Sequence, residues 1–135
     1  MIKKLDIDAP HQGLFMITSE VNQLVRDCGI HAGLCTLFVQ HTSASLIIQE
    51  NADPSARQDL ENWLNRLVPE NDPIYRHIDE GPDDMPAHIK SVLTATSLSI
   101  PIDQGRLALG IWQGIYLWEH RHHGGRRSIV VHVAE

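Results

Sequence analysis

Residues 2–9 read IKKLDIDA, with Leu5, Ile7 and Ala9 alternating against charged residues. That period of two predicts a half-buried strand. Gly13 breaks the chain, and residues 14–17 supply a second apolar run. Thr18 or Ser19 then stands as a helix N-cap. Val21, Leu24, Val25 and Cys28 follow on one helical face, and Gly29 marks the stop. Residues 34–41 and 45–49 are short β-rich runs on either side of a bend of small residues. Asp53-Pro54 predicts the clearest helix start: an oxygen acceptor at the cap, then a proline where its missing N–H costs nothing. Ala56, Leu60, Trp63, Leu64 and Leu67 form its apolar stripe, and Pro69 closes it.

Residues 70–85 form a long acidic loop punctuated by Pro73, Gly81 and Pro82, and a loop of that length in a small domain is commonly functional. A third helix is predicted over 85–96, with Asp84 near its start. Strands are then predicted at 97–102, 106–112 and 115–121, a hairpin turn at Gly124-Gly125, and a last strand at 128–133 with Ile129, Val131 and Val133 on one face. Eight strands with three helices inserted, and no internal repeat, predict one α+β domain over 1–135, built on antiparallel sheet.

Composition narrows this further. With 135 residues, 42% of them hydrophobic, the chain can bury a core without metal or disulfide staples. No apolar run approaches the roughly 20 residues that span a bilayer. The start, MIKKLDIDAP, has no apolar block behind its lysines, so a cytoplasmic protein without a membrane partner is expected. Cys28 and Cys35 form no CxxC pair and read as small buried residues. A net charge of −6 argues against a nucleic-acid partner. The charge is uneven, however. Residues 70–84 carry six acids against Arg76, whereas EHRHHGGRR at 119–127 carries three arginines and three histidines against Glu119. A basic patch on an acidic protein suits a small anion. Neither GxGxxG nor a P-loop occurs, so no organic cofactor is expected.

Three stretches hold the candidate chemistry. VQHTSASLIIQEN at 39–51 sets His41, Thr42 and Ser43 in a bend that a ligand could approach, with Asn51 downstream; the alternative is a solvated turn. DDMPAHIK puts Asp84 and His88 at a helix start, where free N–H groups favour an anion; the alternative is simple capping. In GIWQGIYLWEHR, a strand would place Glu119 and Arg121 on one face as an ion pair, and His120 and His122 on the other with the spacing of paired metal ligands. Trp112 and Gln113 could stack on and hydrogen-bond a heterocycle, or Trp112 could be a core or subunit-interface residue. There is no GxSxG elbow to support a serine nucleophile.

Together, QHTSASLIIQENADP, EGPDDMPAHIKSVL and GRLALGIWQGIYLWEHRHHGG, in that order, are similar to the motif blocks of the YjbQ family. The resemblance covers essentially the whole chain. It implies an α+β fold with a jelly-roll-like β-sandwich, and a homotrimer with polar clefts at the subunit boundaries. It also implies polar site positions at His41, Thr42, Ser43, Asn51, Asp84, His88, Trp112, Gln113, Glu119 and Arg121. Many relatives carry an acidic residue directly after the glutamate, where this chain has His120. The family label, secondary thiamine-phosphate synthase, implies joining a pyrimidine-methyl diphosphate to a thiazole phosphate with release of diphosphate. Under it, Arg121 and the helix start at His88 neutralise the leaving phosphates, Trp112 stacks on a ring and His41 moves a proton, with His88 and Glu119 as further catalytic groups. Mg²⁺ would be recruited by Asp84 or Glu119, or Zn²⁺ by His41 and His88. The alternatives are a metal-dependent hydrolase of a small phosphorylated metabolite and a non-catalytic trimeric binding protein.

Overall fold

The computed structural model describes residues 1–135. In chain order the elements are β1 (Ile2–Ala9), β2 (Gly13–Met16), α1 (Thr18–Cys28), β3 (Gly33–Val39), β4 (Ala44–Glu50), α2 (Pro54–Leu67), α3 (Asp84–Leu93), β5 (Ser97–Asp103), β6 (Arg106–Leu107), β7 (Gln113–Glu119) and β8 (Gly125–Ala134). They build two antiparallel sheets, ordered β1-β8-β3-β5-β6 and β2-β7-β4. The α+β class, the antiparallel sheets and the three helices are as the hydrophobic pattern predicts. The jelly-roll comparison extends no further than this two-sheet plan.

Strand parity explains the layers. On β7, Ile115 and Leu117 face the main core, which also holds Val21 and Val25 of α1, Leu37 and Val39 of β3, Leu46 of β4, and Ile129, Val131 and Val133 of β8. Tyr116 and Trp118 face the other way, into a second cluster with Leu14 of β2 and with Leu64 and Val68 from the end of α2. The small sheet is therefore buried on both faces, which is why β7 is nearly continuous in apolar residues. Leu60 and Leu64 carry the packing of α2; Trp63 and Leu67, on the predicted stripe, remain exposed.

Local departures have identifiable causes. Thr18 does not cap α1, because its hydroxyl accepts the Ile115 N–H of β7 at 2.9 Å. Gly29 ends that helix in the left-handed region, φ 68°. The strand expected at 106–112 shrinks to two residues. Gln113 draws the Gly110 N–H onto its side-chain oxygen at 2.7 Å, and Asn51 donates to the carbonyls of Ile111 and Gln113. Gly124-Gly125 does not close a hairpin: β7 and β8 lie in different sheets, and Gly125 pairs with Ala9. A side chain at Gly124 would meet the Ala9 carbonyl and a Glu119 oxygen, each 2.2 Å away, so this crossover admits only glycine. No helix is long and apolar enough to cross a membrane.

The cap of α2 is as predicted, with Asp53 accepting the Ser55 N–H at 2.9 Å ahead of Pro54. Asp53→Ala is expected to cost about 1 kcal/mol and Asp53→Ser to recover most of it, as read by urea denaturation.

Candidate functional site

β7 ends at Glu119, and the faces of the strand carry on into chemistry. Glu119 continues the core face of Ile115 and Leu117; His120 continues the face of Tyr116 and Trp118. Glu119 is fully buried. Its carboxylate takes Nε and Nη2 of Arg127 at 2.6 Å each, and the Arg121 N–H at 3.1 Å. Arg127 precedes Ile129, Val131 and Val133 on the inward face of β8. The pair thus bridges the two sheets. The guanidinium also donates to Ser43 Oγ at 3.0 Å and lies 3.2 Å from His41 Nδ1.

His41 leaves β3 just after its last residue, and Ser128 N–H donates to its Nε2 at 2.8 Å. A neutral imidazole has one acceptor nitrogen, so the proton lies on Nδ1, facing Arg127. Burial and the Arg127 charge both push the His41 pKa down, which favours this neutral form. With Nε2 taken by Ser128, the Nδ1–H faces a guanidinium that has no acceptor, so it is left for a group in the cleft. His41, Thr42, Ser43 and Arg127 line an open cleft of ≈ 790 Å³ together with His88 and Ser91 of α3.

On α3, His88 donates from Nδ1 to the Thr42 carbonyl at 3.0 Å. Its Nε2 lone pair then stands 3.2 Å from Asp84 Oδ2, and His77 Nε2 lies 2.6 Å from the same oxygen. A lone pair facing a carboxylate is repulsive unless a proton or a cation stands between them. The ligand atoms of His77, Asp84 and His88 lie within 4.8 Å of one another. Asp84 is buried, and its other oxygen is held by Arg121 Nη1 at 2.7 Å. Burial alone would raise the Asp84 pKa; the His77 hydrogen bond and the Arg121 charge outweigh it and hold the carboxyl below the usual range. Two imidazoles and one carboxylate, with His88 oriented by a backbone carbonyl, could together hold a divalent metal ion.

Arg121 is not paired with the Glu119 carboxylate through its side chain. The strand has ended, so alternation no longer sets its direction, and its guanidinium binds Asp83 at 3.0 Å and Asp84 at 2.7 Å. Asp83 also takes the His122 N–H at 2.9 Å. Burial works to raise Asp83, but these bonds win and lower its pKa from 3.8 to about 2. The expected basic patch is therefore neutralised: two guanidiniums, Arg121 and Arg127, face three carboxylates, Asp83, Asp84 and Glu119. His120 and His122 do not converge either. His120 Nε2 lies 2.8 Å from Ser45 Oγ, and His122 bonds Glu70.

Thr42, Ser43, Asp84, His88, Glu119 and Arg121 thus gather around one region with His41. Asn51, Trp112 and Gln113 do not join them within the chain. They sit at the Glu50 end of β4, which pairs with Gln113, while Ala44 at its other end pairs with Glu119. Six residue steps separate the two ends, about 20 Å. Arg127, His77, Asp83 and Ser91 were not among the site residues expected from the sequence. Arg127 was legible by stepping the Ile129–Val131–Val133 alternation back by two. His77 carries no spacing signal, because it reaches Asp84 only through the folded acidic loop.

A model described as UPF0047 protein YjbQ-like matches residues 3–135. The chain belongs to this family. It is 54% identical over 123 residues to UPF0047 protein sll1880 of Synechocystis sp., covering 91% of this chain and 84% of that protein. To the UPF0047 protein YjbQ of Escherichia coli O157:H7 it is 48% identical over 129 residues, covering 95% and 93%. A crystal structure of a YjbQ/UPF0047-family protein from Clostridium acetobutylicum superposes with a TM-score of 0.90 at 32% identity, covering 98% of this chain and 99% of that one.

Burial and the neighbouring Lys90 and Arg127 charges lower the His120 pKa from 6.5 to about 3. In the unfolded chain this imidazole protonates near its ordinary value, while in the fold it stays neutral. Its contribution is therefore complete above pH 6.5 and is lost as the pH falls toward 3, at about 1.4 kcal/mol per pH unit. His120→Gln is expected to flatten the pH dependence of unfolding free energy in that window. An unchanged slope in urea titrations would show that His120 is protonated in the native state.

Proposed function

We propose that the cleft beside His77, Asp84 and His88 is a metal-assisted site for a small phosphorylated metabolite. The carrying observation is the convergence of His88 Nε2 and His77 Nε2 on one oxygen of the buried Asp84, with His88 oriented by the Thr42 carbonyl. Charge supports the same reading. The fixed groups of the site are short of one positive charge, so a phosphate would be repelled until a divalent cation reversed the sign. When bound, such an ion, Zn²⁺ by the nitrogen-rich donors or Mg²⁺ in a more hydrated form, would polarise a phosphoryl oxygen or acidify a water.

The remaining work falls to the chain's own residues. Arg121 holds Asp84 by its second oxygen and fixes its orientation. Thr42 selects the His88 tautomer. Arg127, held by Glu119, offers the N–H groups of Nη1 to a substrate oxygen in the cleft. Ser43 and Ser91 supply hydroxyls along the same wall. His41, neutral and bonded to Ser128, acts as a fixed Nδ1–H donor and orients whatever binds beside Arg127. These roles suit phosphoryl binding and transfer, in which positioning and charge do most of the work.

Thiamine-phosphate synthesis is a narrower version of this reading. It needs two rings and a departing diphosphate in one cleft, and Trp112, the stacking residue carried over by family resemblance, lies at the other end of β4. A homotrimer would have to bring a neighbouring Trp112 across. The exposure of Ile111 and Trp112, 81% and 62%, fits such an assembly.

Chelated protein titrated with Zn²⁺ is expected to bind it stoichiometrically. Asp84→Asn should lose more than roughly 100-fold in affinity, since outer-shell partners alone contribute about 10–100-fold. Equal affinity in the wild type, Asp84→Asn and His77→Ala would overturn the metal site. Rescue of a thiamine auxotroph by the wild type but not by His88→Ala would select the synthase version. Release of phosphate from phosphorylated metabolites without rescue would select hydrolysis.

A further inference from the structure

A second, smaller pocket lies on the opposite face of β7, away from the cleft. It has a volume of ≈ 190 Å³, and Lys90 of α3, His120 and Trp118 line it together with Gln58, Glu61 and Asn62 of α2. Its polar groups are arranged by depth. Lys90 and His120 are buried, at 4% and 1% exposure. Gln58 and Asn62 are exposed and form the mouth.

Counting donors shows what the buried end lacks. The Lys90 ammonium donates to Asn65 Oδ1 at 2.6 Å and to no carboxylate, so N–H groups remain over. Among buried side-chain atoms, Nδ1 of His120 has no hydrogen-bond partner. Its Nε2 lies 2.8 Å from Ser45 Oγ. If Nε2 carried the proton, both the buried Ser45 hydroxyl hydrogen and the Nδ1 lone pair would go unmet. With the proton on Nδ1, the hydroxyl donates to Nε2 and a single N–H is left. The second arrangement is preferred, because each unmet buried polar group costs free energy. The inner end thus presents only donors: the spare ammonium hydrogens and one imidazole N–H.

The other groups limit the charge and shape of a ligand. Glu61 places a carboxylate in the wall, with Oε1 accepting the Leu14 N–H at 2.9 Å. Lys90 and Glu61 cancel, leaving the pocket without net charge, so a phosphate dianion is disfavoured more than a ligand of single charge. The indole of Trp118 is the one apolar wall and would receive a short hydrocarbon tail. We infer that this pocket is a binding site for a small monocarboxylate of about acetate size, its oxygens on Lys90 Nζ and His120 Nδ1 and its methyl against Trp118.

Such a ligand would sit directly behind the cleft. Lys90 lies two residues beyond His88 on α3, and His120 lies between Glu119 and Arg121. Occupancy would stiffen the two segments that carry the site. The pocket is independent of the metal reading, because none of His77, Asp84 or His88 lines it.

The test uses the full chain with ¹⁵N-labelled histidine. Sodium acetate is titrated against sodium chloride at matched ionic strength, and the ring signals of His120 are followed. A saturable shift with acetate alone is expected. It should vanish in Lys90→Met and weaken roughly tenfold in Asn62→Asp, which adds a carboxylate at the mouth. The proposal is overturned if the wild type shows no saturable shift, if Lys90→Met shows the same one, or if inorganic phosphate binds more tightly than acetate. Should Lys90→Met fail to fold, Asn62→Asp decides, since its position is exposed; unchanged acetate affinity there overturns the proposal.

Discussion

The arrangement depends on one buried ion pair, Glu119 with Arg127. It joins the last residue of β7 in the three-stranded sheet to β8 in the five-stranded one, at an end of the core where aliphatic packing gives way to polar groups. Burying two charges is expensive, and the cost is recovered only when the geometry is good and the leftover donors and acceptors are met. Here the geometry is good, and the donors of Nε and Nη2 are met. The guanidinium is engaged through two nitrogens, its next N–H reaches Ser43, and the carboxylate accepts a further N–H from Arg121. Glycine at 124 is the steric counterpart, because any side chain there would drive into the Glu119 oxygens. The cleft wall of His41, Ser43 and Arg127 follows from this pair.

A second polar layer is built on the first. The backbone of Arg121 rests on Glu119, and its side chain reaches out to Asp83 and Asp84, tying the acidic loop and the start of α3 to the end of β7. Asp84 is then shared between Arg121 on one oxygen and His77 on the other. Each acid is tied to a guanidinium, yet the acids outnumber the guanidiniums. That imbalance separates this site from a plain anion pocket: it prepares a place for a cation first and an anion second. The parity of β7 divides the chemistry cleanly, with Glu119 sent toward the cleft and His120 toward the small pocket behind it.

Much of the fold was legible from periodicity. Alternation in residues 2–9 and 128–133, the Asp53-Pro54 cap and the glycine stop at Gly29 each specify an element through local physics, and each element appears. The Asp84–His88 spacing of four on a helix placed two site residues side by side. What escaped depends on contacts distant in sequence. The strand at 106–112 is dismantled by the side chains of Gln113 and Asn51, which no propensity anticipates. Arg121 finds partners 37 and 38 residues earlier, only because the acidic loop folds back on the end of β7. The positive charge of 119–127 looked like an anion patch because charge along the chain does not reveal charge in space. Asn51, Trp112 and Gln113 were grouped with the histidines by family resemblance, whereas the pairing of β4 with β7 sets them at the Glu50 end, away from Glu119.

A double-mutant cycle on Glu119 and Arg127 tests this account most directly. Unfolding free energies would be measured by urea denaturation for Glu119→Gln, Arg127→Met and the double variant. Each single change leaves its partner buried and unpaired, and the expected cost is about 3–5 kcal/mol. The double variant should be no less stable than the worse of the two singles, giving a large favourable coupling. Costs that simply add, or singles that fall within about 0.5 kcal/mol of the wild type, would contradict the claim that this pair holds the sheets and the cleft together.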